Sequence, residues 1–165
     1  MRLSRAGSLV LLATLVFVPP LHRAVASDEA TVSAYAETEM ISVEVVSGES
    51  IDYGPVGLSE TTSSGPVQVR NQGTVTAALS VRALDATSAA GAWTLAGSPG
   101  PDTYAWDLVD SGNGITVHLA DTAQQWLGSL APAETATCRF DLRTPTAVTN
   151  PGEYSMQAYI IATAP

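Results

Sequence analysis

Apolar and polar residues alternate in short segments along this chain, and this alternation limits its possible folds more than any other feature. Residues 41–45 read Ile-Ser-Val-Glu-Val, and residues 75–83 place Val, Ala, Leu, Val and Ala at every second position. Because successive side chains of a strand point to opposite faces, a period of two predicts strands with one buried face. Gly, Pro, Asn, Asp and Ser bound the segments, as turns require. Residues 122–130 are predicted to form at most one or two helical turns.

Segments of this kind predict the fold class. They lie at residues 31–46, 51–56, 67–70, 75–83, 92–95, 104–108, 115–119, 136–142 and 154–163. We expect an all-β chain, an immunoglobulin-like antiparallel β-sandwich of about seven to nine strands. A barrel with a ligand cavity is the alternative, but two Phe and three Trp offer little aromatic lining for one.

The first residues predict export. Two arginines among the first five residues precede an apolar run at residues 9–18, which Pro19 ends. Ala24 and Ala26 are the small residues that a signal peptidase requires, so cleavage is predicted between Ala26 and Ser27. A membrane anchor is the alternative, but a span needs about 20 apolar residues. The predicted location is therefore secreted, extracellular or at the cell surface.

The predicted organisation is a signal peptide at 1–26, an N-terminal strand or extension at 27–40 and an immunoglobulin-like domain at 41–165.

The chain that remains after cleavage is strongly acidic. It has four arginines against sixteen carboxylates and no lysine. Such a surface repels phosphate backbones and anionic headgroups, so neither nucleic acid nor a membrane surface is an expected partner. A protein partner is expected, with self-association through edge strands as one form, and no membrane span after cleavage.

Four motifs are similar to bacterial secreted and surface immunoglobulin-like domains of the hydin type. They read Ile-Asp-Tyr-Gly-Pro-Val at 51–56, Val-Gln-Val-Arg-Asn-Gln-Gly-Thr at 67–74, Leu-Ala-Pro-Ala-Glu at 130–134 and Gly-Glu-Tyr-Ser-Met at 152–156. Ala133 departs from the pattern, since the family usually has Gly there, so this turn is open to another geometry. The resemblance implies a scaffold, adhesin or appendage component and carries over no catalytic residue, so it specifies the fold better than the function.

Few residues could perform catalysis after signal cleavage. His118 alternates with Val117 and Leu119, which predicts a solvated side chain with no nucleophile motif beside it. Cys138 shares a strand face with Phe140 and is predicted to be a core residue, because a free Cys behaves as a small apolar residue. We therefore predict no catalytic residue and no enzyme.

Two further possibilities are metal binding and glycan binding. Asp107, Asp110 and Asn113 are weak calcium candidates around a turn that lacks the bidentate Glu of a calcium loop. A plain hairpin turn is the favoured interpretation, and no cofactor is predicted. Trp93 and Trp106 alternate with leucines and are expected in the core, whereas the exposure of Trp126 is left open.

One apolar set before the domain suggests an interaction site. Val32, Ala34, Ala36 and Met40 fall on alternate positions. Such a segment is either the first strand of its own domain or a strand donated to a neighbouring copy, where alternate side chains set the register. The favoured function is an exported, non-catalytic structural or adhesive protein. The alternatives are a filament subunit that assembles by N-terminal strand donation and an accessory domain that binds glycan or calcium.

Overall fold

The computed structural model describes residues 38–165, and this part of the chain is all-β without a helix. The predicted signal peptide and the interaction candidates Val32, Ala34 and Ala36 lie outside the described residues. The eleven strands are β1 Val43–Ser47, β2 Thr61–Ser63, β3 Val67–Asn71, β4 Ala77–Ala83, β5 Ala86–Thr87, β6 Ala92–Leu95, β7 Thr103–Asp110, β8 Ile115–His118, β9 Gln124–Leu130, β10 Thr135–Arg143 and β11 Ala158–Thr163. Residues 38–165 contain no helix long and apolar enough to cross a membrane.

The strands form two sheets. The larger sheet has eight strands in the order β1-β3-β10-β7-β6-β5, with β2 paired to β10 and β8 paired to β7. The smaller sheet has three strands in the order β11-β4-β9. Every pairing between these strands is antiparallel except that of β6 with β7. Buried side chains from both sheets make one apolar cluster, so the fold is sandwich-like.

The alternation predicted from the sequence is confirmed in the strands that build this core. In β4, Leu79 and Val81 are fully buried, while Ser80 between them is partly exposed. In β10, Cys138 and Phe140 are each 3% exposed. Burial raises the pKa of the Cys138 thiol to about 12, and the Asp110 carboxylate adds to this. Cys138 is therefore the core residue that its position predicts.

The predicted secondary structure is wrong in several details. Residues 122–130 were expected to be at most a short helix, but β9 occupies most of this stretch. The pairing of β9 with β4 shifts register twice, which interrupts the alternation that would identify a strand. Residues 51–56 are irregular, and of residues 154–163 only Ala158–Thr163 form a strand. Eleven strands exceed the predicted seven to nine because β2 and β5 are only three and two residues long.

The motif at 67–74 and the turn at 130–134 meet at a buried asparagine. Asn71 is fully buried, and its Nδ2 donates to the carbonyls of Val75 (2.9 Å) and Leu130 (2.8 Å). Its main-chain carbonyl accepts from the Ala133 amide at 2.9 Å. Ala133 has φ +62°, the left-handed conformation that glycine favours. Ala133 therefore adopts the backbone conformation that glycine favours at such a turn.

Candidate functional site

A cleft of about 1340 Å³ lies between the two sheets. Its floor consists of core side chains of the larger sheet, and β11 forms part of one wall. The loops 48–58 and 145–157 complete the walls. The apolar residues facing the cleft include Val45, Ile51, Val67, Trp106, Phe140, Leu142, Met156, Ala158 and Ile160. We refer to this surface as the cleft.

The motif at 51–56 builds one wall of the cleft. Gly54 has φ +63°, and its amide donates to Asp52 Oδ1 at 2.8 Å, which makes a tight turn around Tyr53. The Tyr53 hydroxyl donates to the Phe140 carbonyl at 3.1 Å and accepts from Trp106 Nε1 at 2.8 Å. Burial raises the pKa of Tyr53 to about 12, although the hydrogen bond from Trp106 opposes this shift. The motif therefore holds a neutral phenol against the cleft floor.

The opposite wall is aromatic as well. The rings of Trp93 and Tyr154 stack with centroids 4.0 Å apart and planes at 21°. The Tyr154 hydroxyl donates to the Asn150 carbonyl at 2.7 Å, which fixes the loop that carries it. Within residues 38–165 the buried Trp93 Nε1 has no hydrogen-bond partner. The same loop also pairs with Thr87, because the Thr87 and Ser155 amides each donate to the other residue's carbonyl at 2.9 Å. Ring stacking and main-chain hydrogen bonds therefore hold this wall together.

Strand β11 is an open edge beside the cleft. Among the described residues it pairs with β4 alone, in an uninterrupted register from Ala158 opposite Ala83 to Thr163 opposite Ala78. On the inward face Ala158, Ile160 and Ala162 are only partly buried, although the β4 residues opposite them are 0% exposed. The strand contains no charged residue, Gly or Pro, which are the usual protections of an edge. Its backbone can therefore accept a further strand.

A second candidate lies across β7, β8 and β10. His118 Nδ1 is 2.6 Å from Asp107 Oδ1, and Arg143 Nη2 is 3.1 Å from Asp107 Oδ2. Asp107 is 8% exposed, whereas the His118 side chain is 66% exposed, which confirms the predicted solvated face. The sequence analysis missed this partner, because Asp107 and His118 meet only through the pairing of β7 with β8. The contact orients an imidazole, but a reaction also needs a nucleophile or a bound water.

A second ion pair lies on the same face. Asp141 is directly opposite Asp107 in the pairing of β10 with β7. Arg139 Nε donates to Asp141 Oδ1 at 2.9 Å, and its Nη1 donates to Ser111 Oγ at 3.0 Å. Burial raises the pKa of Asp141, but hydrogen bonds from Arg139 and Ser63 and the arginine charge outweigh it, so the pKa lies below its usual value. Each of these two carboxylates therefore has its own arginine.

The structure separates the calcium candidates. Asp107 and Asp110 are three residues apart on β7 and so point to opposite faces. Asp110 Oδ2 accepts from Asn113 Nδ2 at 2.9 Å and from Trp126 Nε1 at 3.1 Å, and Oδ1 accepts from the Asn113 amide at 3.0 Å. Burial raises the pKa of Asp110, but these hydrogen bonds together with the Gly112 amide lower it below its usual value. In the described part of the chain no three His, Cys, Asp or Glu side chains are grouped to hold a metal.

The structure also gives the exposure of the three tryptophans and of Met40. Trp93, Trp106 and Trp126 are 8%, 5% and 3% exposed, so all three are buried and Trp126 belongs to the core. Met40 is 50% exposed, and its backbone is held to its own domain by an amide hydrogen bond to Thr74 Oγ1 at 3.0 Å. Met40 is therefore set apart from the other three residues of the predicted interaction set.

Comparisons of this chain with protein-family models, with curated proteins and with solved structures find no significant match. The resemblance to hydin-type domains stays a prediction. Sequence reasoning missed the cleft, because it forms between strands far apart in the chain. One available signal was the last predicted strand, which contains Ala-Tyr-Ile-Ile-Ala-Thr without a single charge.

Proposed function

We propose that this chain is an exported, non-catalytic structural protein that associates with copies of itself through the cleft and the open edge of β11. The observation that carries the proposal is β11 itself, an uncharged strand whose second edge is unpaired within residues 38–165 and whose inward face is half-covered. A signal peptide, an extracellular or surface location and an immunoglobulin-like arrangement of the two sheets are parts of the same proposal.

An extended segment fits the chemistry of this site. A strand placed along β11 would receive main-chain hydrogen bonds, and every second side chain would enter the cleft. The cleft volume of about 1340 Å³ exceeds the roughly 300–1,000 Å³ of most small-molecule pockets. Covering Ala158, Ile160 and Ala162 would also complete the burial of the smaller sheet's inward face. A protein segment satisfies both the backbone and the apolar surface.

The other functions considered receive less support. A tryptophan platform for glycan would need exposed indoles, and Trp93, Trp106 and Trp126 are all buried. The calcium candidates Asp107 and Asp110 lie on opposite faces of β7, and protein donors occupy the oxygens of Asp110.

The test compares two lysine substitutions in the exported form, residues 27–165. Ile160→Lys places a charge on the cleft side of β11, whereas Val46→Lys changes an exposed residue of β1 that does not line the cleft. Size-exclusion chromatography with light scattering and negative-stain microscopy would measure assembly, and circular dichroism would confirm folding. We expect oligomers or fibres for the unchanged protein and for Val46→Lys, and monomers for Ile160→Lys.

Two outcomes contradict the proposal. One is an unchanged protein that is monomeric at every concentration tested, and the other is a folded Ile160→Lys variant that assembles normally. If Ile160→Lys fails to fold, Met156→Lys replaces it, because Met156 lines the cleft from an irregular segment outside the strand.

A further inference from the structure

We infer that the occupant of the cleft is the N-terminal segment of a neighbouring copy, in which Ala30, Val32, Ala34 and Ala36 point into the cleft. This inference rests on the proposed self-association and adds the identity of the donor segment and the direction of assembly. Met40 is excluded from the donated set, because hydrogen bonds hold its backbone to its own domain.

The described start of the chain shows where this segment leaves its own domain. The Gln72 and Gly73 amides donate to the Ser42 carbonyl, at 2.9 and 3.2 Å, and the Thr74 amide donates to the Met40 carbonyl at 2.9 Å. Thr74 Oγ1 also donates to the Thr38 carbonyl at 3.3 Å. Residues 38–42 thus continue the pairing of β1 past the end of β3. The chain before Thr38 is attached at the Thr74 end of the domain.

The cleft lies at the opposite end. It is lined by Gly48 and Ile51, which follow β1, and by Ala158, which pairs with the last residue of β4. Thr74 lies just before the first residue of β4. The seven residues of β4 therefore separate the two positions by roughly 20 Å. Copies stacked end to end would bring the departing segment of one beside the cleft of the next.

The length and composition of the segment suit this arrangement. Eleven residues lie between the predicted cleavage point and Thr38, and in extended form they reach about 36 Å. Small side chains at alternate positions can enter a cleft whose floor already holds Trp106 and Phe140. Thr31 and Ser33 would then face solvent. A head-to-tail contact of this kind joins two different surfaces, so copies add one after another and form a filament wherever the rotation between them does not close a ring.

Two other occupants must be distinguished by experiment. The segment could fold back into the cleft of its own domain, or β11 of a second copy could pair with β11. The first requires a reversal beside Thr38, where the backbone is held in line with β1. The second would give a closed symmetric dimer and would leave the alternating segment unused.

Cysteine cross-linking separates these arrangements in the exported form, residues 27–165. One protein carries Ala158→Cys, and a second carries Cys at position 32, 34 or 36. Cys138 can stay, because it is buried and its pKa is raised to about 12, which makes it unreactive. After mild oxidation of the mixture we expect covalent heterodimers from at least one position. Their yield should exceed that of a Val46→Cys and Ala158→Cys pair about tenfold, since assembly raises the local concentration.

The other results overturn the inference in distinguishable ways. Homodimers of the Ala158→Cys protein alone would show β11 pairing with β11, which leaves the proposed self-association standing. An intrachain disulfide in an Ala34→Cys/Ala158→Cys double variant, without heterodimers in the mixture, would show that the segment fills its own cleft. Absence of heterodimers from all three positions also overturns it. Deletion of residues 27–36 should leave a folded monomer with no assembly, and normal assembly of this variant would contradict the inference.

Discussion

The two outer strands of the smaller sheet, β9 and β11, both pair with β4, yet only β9 has features that protect its free edge. Trp126 of β9 is 3% exposed, and its indole donates to Asp110 of the larger sheet. The pairing of β9 with β4 shifts register twice. By contrast, β11 pairs in unbroken register and its inward Ile160 is only partly buried.

This difference shows that strand length does not decide whether an edge is closed. β9 has seven residues and β11 has six, and both lack charged side chains. In β9, Trp126 is tied to the opposite sheet, and the register shifts distort the strand, which is one way in which proteins protect a sheet edge. β11 has neither feature, so the smaller sheet offers one edge to a partner strand.

The largest predicted effect comes from removing the Trp126 side chain, which ties β9 to the larger sheet. Trp126→Ala should lower the free energy of unfolding by about 3–5 kcal/mol, because it empties a core position and leaves Asp110 without a buried donor. Ile160→Ala on the open edge should cost only about 1 kcal/mol, since that side chain is already partly exposed. Denaturant unfolding at concentrations where the protein is monomeric would measure both. Equal losses of unfolding free energy would mean that Ile160 of β11 is packed as tightly as Trp126 of β9.

The acid dependence of stability should depend on the same contact between the sheets. The pKa of Asp110 is lower in the folded chain than usual, so its ionised form stabilises the fold above the unfolded pKa of about 3.9. That stabilisation is lost as the pH falls through the lower folded value. Asp141 acts in the same direction.

Asp110→Asn isolates the contribution of this one carboxylate. The variant should be less stable at neutral pH by about 1–3 kcal/mol, because charged hydrogen bonds become neutral ones. It should also lose less stability than the unchanged protein between about pH 5 and pH 2. Unfolding curves across this range provide the measurement. A pH profile parallel to that of the unchanged protein would show that Asp110 does not couple protonation to folding.

The sequence predicted the regular strands of the core well. In β4 and β10 one face is buried and the other solvated, so a period of two appears directly in the residues. In β9 only Trp126 and Leu130 are buried, and the position between them on the same face is the exposed Gly128, so no clear alternation marks the strand. Burial of the core faces was therefore predictable, while an irregular edge was not.

The candidate site was predictable only in fragments. The motif at 51–56 was recognised, but its contact with Trp106 depends on strands more than 50 residues away. The pairing of His118 with Asp107 needed the register of β7 with β8. Which strands become neighbours is set by the packing of the whole domain, so a surface formed between them does not appear in any local pattern.

The smallest predicted effect comes from two turns that share a left-handed backbone conformation but carry different residues. One turn follows β9, and the other lies in the wall of the cleft beside β11. Ala133 follows β9 with φ +62°, and Gly54 stands in the cleft wall with φ +63°. Ala133→Gly should raise the free energy of unfolding by about 1 kcal/mol, because a Cβ in the left-handed region is strained. Gly54→Ala should lower it by about the same amount, since no atom lies within 4 Å of the added Cβ and only backbone strain changes. Thermal or denaturant unfolding of both variants would measure the two shifts, and shifts of the same sign would show that backbone conformation does not control them.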